Sequence, residues 1–224
     1  MMLNTNDLVL LNTHFPAWEK LSLSEQQLII NNSSLIKVKN HDFMHNCSEG
    51  CSGILIIKKG MLRVYTISKQ GKEITFYRLQ QGDISILSAS CVIKDITIDI
   101  FIEALSDCEI IQILPCAFAK TMHQNIYLEA LTYKLATQRL CTITWAMQQM
   151  IFTSFDKRLA QFLLNESKRL NSLEIHLTHE QIAKFMGSAR EVVTRMLKYF
   201  STEQYVSLTR GKITIINKEA LEKL

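Results

Sequence analysis

Proline and glycine are scarce in this sequence, with two prolines and seven glycines in 224 residues. That excludes a collagen-like or low-complexity chain. No run of about 18 apolar residues is present that could span a bilayer. The N-terminal stretch MMLNTNDLVLLN has no basic region ahead of its apolar residues, as a secretory leader would. The expectation is a cytoplasmic protein without a membrane partner. No nucleophile–base–acid set, glycine-rich phosphate loop or H-E-x-x-H appears, so no enzyme class finds support. Six cysteines without a leader indicate reduced thiols or ligands, not a disulfide framework.

What is present suggests two domains: the length allows them, and 47% apolar content suffices for two cores. Charge is unevenly placed. Residues 153–224 carry 12 Lys/Arg against 8 Asp/Glu, whereas residues 1–152 carry 13 of each. The positive surplus therefore sits wholly in the C-terminal third, where attraction to phosphate would put it.

In that third, Leu177 to Phe200 reads LTHEQIAKFMGSAREVVTRMLKYF. Thr178 with Gln181 makes a capping box, and Ile182, Ala183 and Phe185 supply an apolar face. Gly187 suits a sharp turn. Ser188 can cap a second helix whose Val193, Leu197 and Phe200 face inward. Arg190, Glu191, Thr194 and Arg195 remain outward, in a helix-turn-helix layout that would offer them to a major groove. Arg is the commonest reader of guanine and Glu accepts from cytosine. The plainer reading is an amphipathic hairpin whose charges only solvate it. Two neighbours favour the first: a helix starting near Asp156, and a hairpin from Tyr205 to Asn217 turning at Arg210-Gly211, shaped like a wing.

With Gly187, Arg190-Glu191, Arg195 and the trailing Arg-Gly hairpin, residues 154–217 resemble the DNA-binding domain of the Crp/Fnr family of bacterial transcription regulators. The resemblance implies a homodimeric regulator that reads palindromic double-stranded DNA through half-sites like TGTGA or TTGA, with RNA polymerase as a further partner. It implies that Thr178 contacts a phosphate. It also marks a departure, since Ala189 stands where the cyclic-AMP-binding members have a phosphate-contacting Ser.

The rest of the chain fits that plan. Residues 1–34 read as a helical lead-in, with a capping box from Ser24 to Gln27. From Leu35 to Leu114 short β-rich runs alternate with turns, Gly60, Gly71 and Gly82 falling eleven residues apart. That spacing indicates an antiparallel sandwich or barrel. Phe118 to Ile151 reads as one helix, with a heptad seam of Tyr133, Ala136, Leu140, Ile143, Met147 and Met150 and a second stripe of Leu128, Leu131 and Leu135. Periodicity leaves open whether both stripes pack internally; the resemblance implies pairing through the seam. The expected architecture is α+β: a jelly-roll β-roll sensor like a cyclic-nucleotide-binding domain (1–117), a dimerisation helix (118–152), and a winged helix-turn-helix (153–224) hinged at Thr153-Ser154.

The signal is less legible. Family members that bind cyclic AMP hold its phosphate with an Arg-Ser pair; here that position falls on Ile98-Asp99, and a carboxylate repels phosphate. Cyclic AMP is therefore not the expected effector. The oxygen-sensing branch uses cysteines near its N-terminus, and none precedes Cys47. His41, Met44, His45, Cys47, Cys51 and Cys91 form a set of soft donors that could hold an iron–sulfur cluster, a zinc or a haem; equally, they hold nothing and an unknown organic effector fills the β-roll. Cys108 and Cys141, in apolar runs, read as small core residues. The alternative function is a haem, metal or redox sensor whose winged helix makes protein contacts.

Overall fold

The computed structural model describes residues 3–44, 52–86 and 100–224. The candidate ligands His45, Cys47, Cys51 and Cys91, and the Ile98-Asp99 pair, lie outside the described residues. The chain forms two compact units, one of Met1–Ile67 with Phe76–Ile143 and one of Ser68–Thr75 with Thr144–Leu224.

The first unit opens with α1 (Thr5–His14), a 3₁₀ turn (Trp18–Lys20) and α2 (Leu23–Asn31). The α2 capping box is formed by Ser22 and Glu25, two residues before the expected Ser24 and Gln27. Glu25 Oε2 accepts the Ser22 N–H at 2.7 Å. A carboxylate is a stronger acceptor than an amide and is favoured at a helix N-terminus, while Gln27 is turned to Asn31 instead. The lead-in is also shorter than expected, because Ser33 and Ser34 already belong to a strand.

Among the described residues eight strands follow: β1 (Ser33–Val38), β2 (Phe43–Met44), β3 (Ile54–Lys59), β4 (Met61–Ile67), β5 (Glu73–Gln80), β6 (Ile84–Ser85), β7 (Phe101–Ala104) and β8 (Cys108–Ile113). They build two four-stranded sheets, ordered β1-β8-β3-β6 and β2-β7-β4-β5. The pairing is antiparallel, for example Ile54 opposite Ile113 and Leu62 opposite Ala104. Ile54 to Ile57 are all buried. Consecutive burial means that both faces of β3 are covered, and α1 lies against it, tied by Lys58 Nζ to the buried Asp7 carboxylate at 2.9 Å. Each fully buried side chain of this size contributes about 1.5–3 kcal/mol. Gly60 makes the turn between β3 and β4 at a φ of +92°, where a Cβ would meet Cys108 Sγ at 2.6 Å. Only glycine fits there.

The expected long helix is two. Pro115 starts α3 (Pro115–Gln124), and α4 (Ile126–Phe152) begins after an extended Asn125. Neither proline nor glycine causes the break. Asn125 does so with its side chain, donating to Lys20 O at 3.1 Å and accepting the Leu128 N–H at 3.2 Å. Along α4, Leu128 is buried, and Leu131, Leu135, Ala136 and Ile143 pack on the core of the first unit. Tyr133, Leu140 and Met147, spaced seven apart, are 54%, 64% and 56% exposed. Cys108 is buried as expected, whereas Cys141 is exposed on α4, on the side turned from that core.

The second unit holds α5 (Phe155–Leu170), β9 (Glu174–Ile175), α6 (His179–Met186), α7 (Arg190–Thr202), β10 (Val206–Thr209), β11 (Lys212–Ile215) and α8 (Lys218–Glu222). Its core joins Leu159 and Leu163 of α5, Ile182 of α6, Val193, Leu197 and Phe200 of α7, and Ile213 of the β10-β11-β9 sheet. The inward face of α6 is Ile182, Ala183 and Met186, where Phe185 was expected. Ile182 and Met186 are four apart and share a stripe. Phe185 falls beside it, half-buried against the Phe162 ring at 6.0 Å.

Candidate nucleic-acid interface

Helices α6 and α7 owe their placement to short-range chemistry. Thr178 Oγ1 accepts the Gln181 N–H at 3.2 Å, and Gln181 Oε1 accepts the Thr178 N–H at 2.8 Å, so α6 begins where the sequence pattern put it. Gly187, at a φ of +59°, ends α6 with its N–H on Ala183 O. The chain then re-enters a helix at Arg190. Ser188 does not cap it; the N-cap is Ala189, which offers no side-chain oxygen. Ser188 instead continues the α6 cap, its N–H donating to Ala183 O at 2.9 Å. The amides opening α7 thus have no side-chain cap, at the end where a helix favours negative charge.

Burial of Val193, Leu197 and Phe200 fixes which side of α7 faces out. Arg190, Glu191 and Arg195 are exposed there and, with Thr194 and Lys198, line one recess. Among the described residues none of Arg190, Glu191, Arg195 and Lys198 has an ion-pair partner within the chain. Glu191 and Arg195, although one turn apart, leave their charged ends available. Helix faces that serve only solubility tend to pair such charges at i,i+4 spacing.

Thr178 opens a second recess, between the start of α6, the start of α7 and the β10–β11 wing. It is lined by Thr178, His179, Glu180, Arg190, Gly211 and Lys212 among others. Lys212 Nζ is held by Glu174 at 2.7 Å. His179 Nδ1 lies 2.9 Å from Thr194 Oγ1 and bridges α6 to α7. Burial, and then the Arg190 charge, hold the His179 pKa below the ordinary histidine range. The structure therefore brings Thr178, Arg190, Glu191, Thr194 and Arg195 onto one side of the second unit, with Ser188 at its turn. His179, Lys198 and Lys212 join them without having been singled out from the sequence. Lys198 had a readable signal, four residues on from Thr194 on the same helix face. The partner of His179 is fifteen residues away, and no local pattern announces it.

In the first unit the guanidinium groups of Arg63 and Arg139 stack on tyrosines. Arg63 is 1% exposed, lies 4.2 Å over the Tyr65 ring and pairs with Glu103 at 3.2 Å. Glu103 also meets His41 Nδ1 at 3.6 Å. Arg139 of α4 lies 4.7 Å over the Tyr77 ring and donates to Ile84 O at 3.3 Å. Met44, a candidate haem ligand, is half-buried on the core. Among the described residues no group of three or more His, Cys, Asp or Glu is placed to hold a metal.

Residues 157–224 match the profile of the Crp-like helix-turn-helix domain. A protein assigned to the crp/fnr family of transcriptional regulators from Eubacterium rectale has a solved structure that is similar at 39% identity and a TM-score of 0.91; the match covers 94% of this chain and 98% of that one. The cAMP-activated global transcriptional regulator CRP of Pasteurella multocida is 27% identical over 178 residues, 76% of this chain and 84% of that protein. The c-di-GMP responsive global regulator CLP of Xanthomonas campestris shares the fold, with a TM-score of 0.70 at 13% identity over 87% of this chain and 99% of that one.

Proposed function

Because the chain belongs to the Crp/Fnr family of transcription regulators, we propose that two copies of it pair and read a palindromic site in double-stranded DNA, one α7 in each half-site. It is a transcription regulator with a helix-turn-helix DNA-binding domain, not an enzyme. The observation that carries the reading is the outer face of α7, where Arg190, Glu191, Arg195 and Lys198 stand without ion-pair partners among the described residues. Charged groups left in this way beside the capping Thr178 and the wing Lys212 suit a duplex: phosphates at the rim, base edges at the centre.

Pairing runs through the exposed side of α4. Tyr133, Leu140 and Met147 recur at the heptad interval and leave an apolar strip uncovered in the single chain. The first unit senses the signal, a small effector or a redox change, and RNA polymerase is the partner through which bound protein acts. A DNA target places the protein in the cytoplasm; no helix among the described residues is long and apolar enough to cross a membrane. The Pasteurella relative is named for activation by cAMP. This chain carries Ile98 and Asp99 where that use of the fold needs an Arg-Ser pair, so its effector is a different one.

The test is a gel shift on a palindromic fragment with two TTGA half-sites across a salt series. Binding whose logarithm falls linearly with the logarithm of salt is expected, since Lys and Arg release counterions from the duplex. A protein that fails to shift DNA at any salt would instead use its winged helix for protein contacts.

A further inference from the structure

We propose that His179 binds a DNA backbone phosphate through Nε2 and takes up a proton as it does so, making DNA affinity fall as pH rises. The proposal rests on the reading of α7 as the DNA reader and adds a residue and a regulatory input to it.

The starting point is a count of protons. Thr194 Oγ1 lies 2.9 Å from the carbonyl oxygen of Arg190, one turn back on α7. The same oxygen lies 2.9 Å from His179 Nδ1. A hydroxyl has one proton, and a carbonyl can only accept. Both contacts are hydrogen bonds at once only in the tautomer in which the Thr194 proton goes to Arg190 O and Nδ1–H donates to Thr194 Oγ1, and the proposal takes that tautomer. In a neutral imidazole this leaves Nε2 as a bare lone pair.

The recess that His179 lines is framed by Thr178, Arg190, Gly211 and Lys212, a donor-rich rim at the N-terminus of α6. A phosphate there presents only acceptor oxygens. Neutral His179 would meet it lone pair against lone pair; protonated His179 donates from Nε2 and adds a charge, the stronger kind of bond. The charged groups around the ring are Glu180 on its own helix, Arg190 at the start of α7, and Lys212 on the wing, itself paired with Glu174. From the loop before α6 and from β10 come only the uncharged Leu177 and Thr209.

In the free protein, burial and Arg190 act against the imidazolium and hold its pKa down. A bound phosphate acts the other way. A group neutral when free and charged when bound gains a proton on binding, so affinity is greatest below the free-state pKa. It is lost as pH rises through the bound-state value. Each unit by which the phosphate raises that pKa corresponds to about tenfold in affinity per protomer.

The experiment measures the Kd of the full chain for the TTGA palindrome from pH 5.5 to 8.5 at fixed ionic strength, for wild type, His179→Asn and His179→Arg. Asparagine puts an amide N–H near the place of Nδ1–H and keeps the Thr194 bond without titrating; arginine carries a permanent charge. Wild-type affinity is expected to weaken about tenfold or more between pH 6 and 8. His179→Asn should bind weakly with a flat profile and His179→Arg tightly with a flat profile. Circular dichroism confirms that each variant is folded. His176, exposed on the β9 side, is present in all three proteins and cannot produce a difference between them. A wild-type slope that persists in His179→Asn, or a flat wild-type profile, overturns the proposal. Absence of DNA binding at every pH would overturn the α7 reading itself, and this proposal with it.

Discussion

The side-chain oxygen of Asn125 accepts the backbone N–H of Leu128 at 3.2 Å, while its amide nitrogen reaches Lys20 O and Glu25 Oε2, each at 3.1 Å. One side chain thus starts α4 and ties it to the helical lead-in a hundred residues earlier. Asn125→Ala removes the cap and should cost about 1–2 kcal/mol, read as a lower melting temperature of the whole chain. Asn125→Asp should not rescue it fully. The cap is kept, but a carboxylate then faces Glu25, whose own pKa is held low by bonds from Ser22. Full rescue by Asp would mean that the link to the lead-in contributes nothing.

That residue also separates what could be read from the sequence from what could not. The α6 cap was legible because Thr178 and Gln181 are three apart and answer only to each other. The glycine-marked turns of the β-roll were legible for a similar reason, and so was the wing turning at Arg210-Gly211, as Thr209 pairs with Lys212. The break at Asn125 was hidden because its partners come from a distant segment, and the neighbouring sequence has good helix formers on both sides. Ser188 misled for the opposite reason. A serine before a helix is a sound local signal, but Gly187 drew Ser188 into the end of α6 instead. The His179–Thr194 bridge needed both helices in place before it existed.

The faces of α4 make a prediction about assembly. Leu140 is 64% exposed, whereas Ile143, three residues on, packs on the core of its own unit. Leu140→Glu should leave the fold intact and give a monomer, because the charge is costly only when a symmetric partner buries it. Ile143→Glu should lower stability by about 1–3 kcal/mol, since it sets a carboxylate on a partly buried position against that core. Sedimentation and thermal melts separate the two. A Leu140→Glu protein that remains dimeric at wild-type affinity puts the interface elsewhere.

Asp99 makes a prediction about the signal. If Asp99 stands where the cyclic-AMP-binding members hold the phosphate, as the resemblance implies, its carboxylate should prevent cyclic AMP from binding, and calorimetric titration should yield no binding heat. DNA affinity should be the same with and without the nucleotide. Stoichiometric uptake of cyclic AMP would show that the sensor holds phosphate by other groups.

Helices α6 and α7 make the last prediction, in which two residues of the second unit do different jobs. Arg195 stands exposed on the outer face of α7, while Thr178 sits at the α6 N-terminus in the recess beside the wing. On the proposed reading Arg195 would address a guanine edge and Thr178 a backbone phosphate, with the two α7 helices of a paired protein expected about 34 Å apart on the duplex. Arg195→Ala should cost about 1–3 kcal/mol on the selected site and relax preference at one base pair in each half-site. Thr178→Ala should weaken all sequences about equally, since phosphate contacts position the protein without specifying a base. Thr178→Ala also removes the hydroxyl that accepts the Gln181 N–H, so Thr178→Ser, which keeps that cap, serves as its control. Binding-site selection from a random library, run on all three variants and the parent, reads both effects at once. If Arg195→Ala selects the parent's full consensus, α7 lies on the DNA in another orientation and a different side chain reads that base.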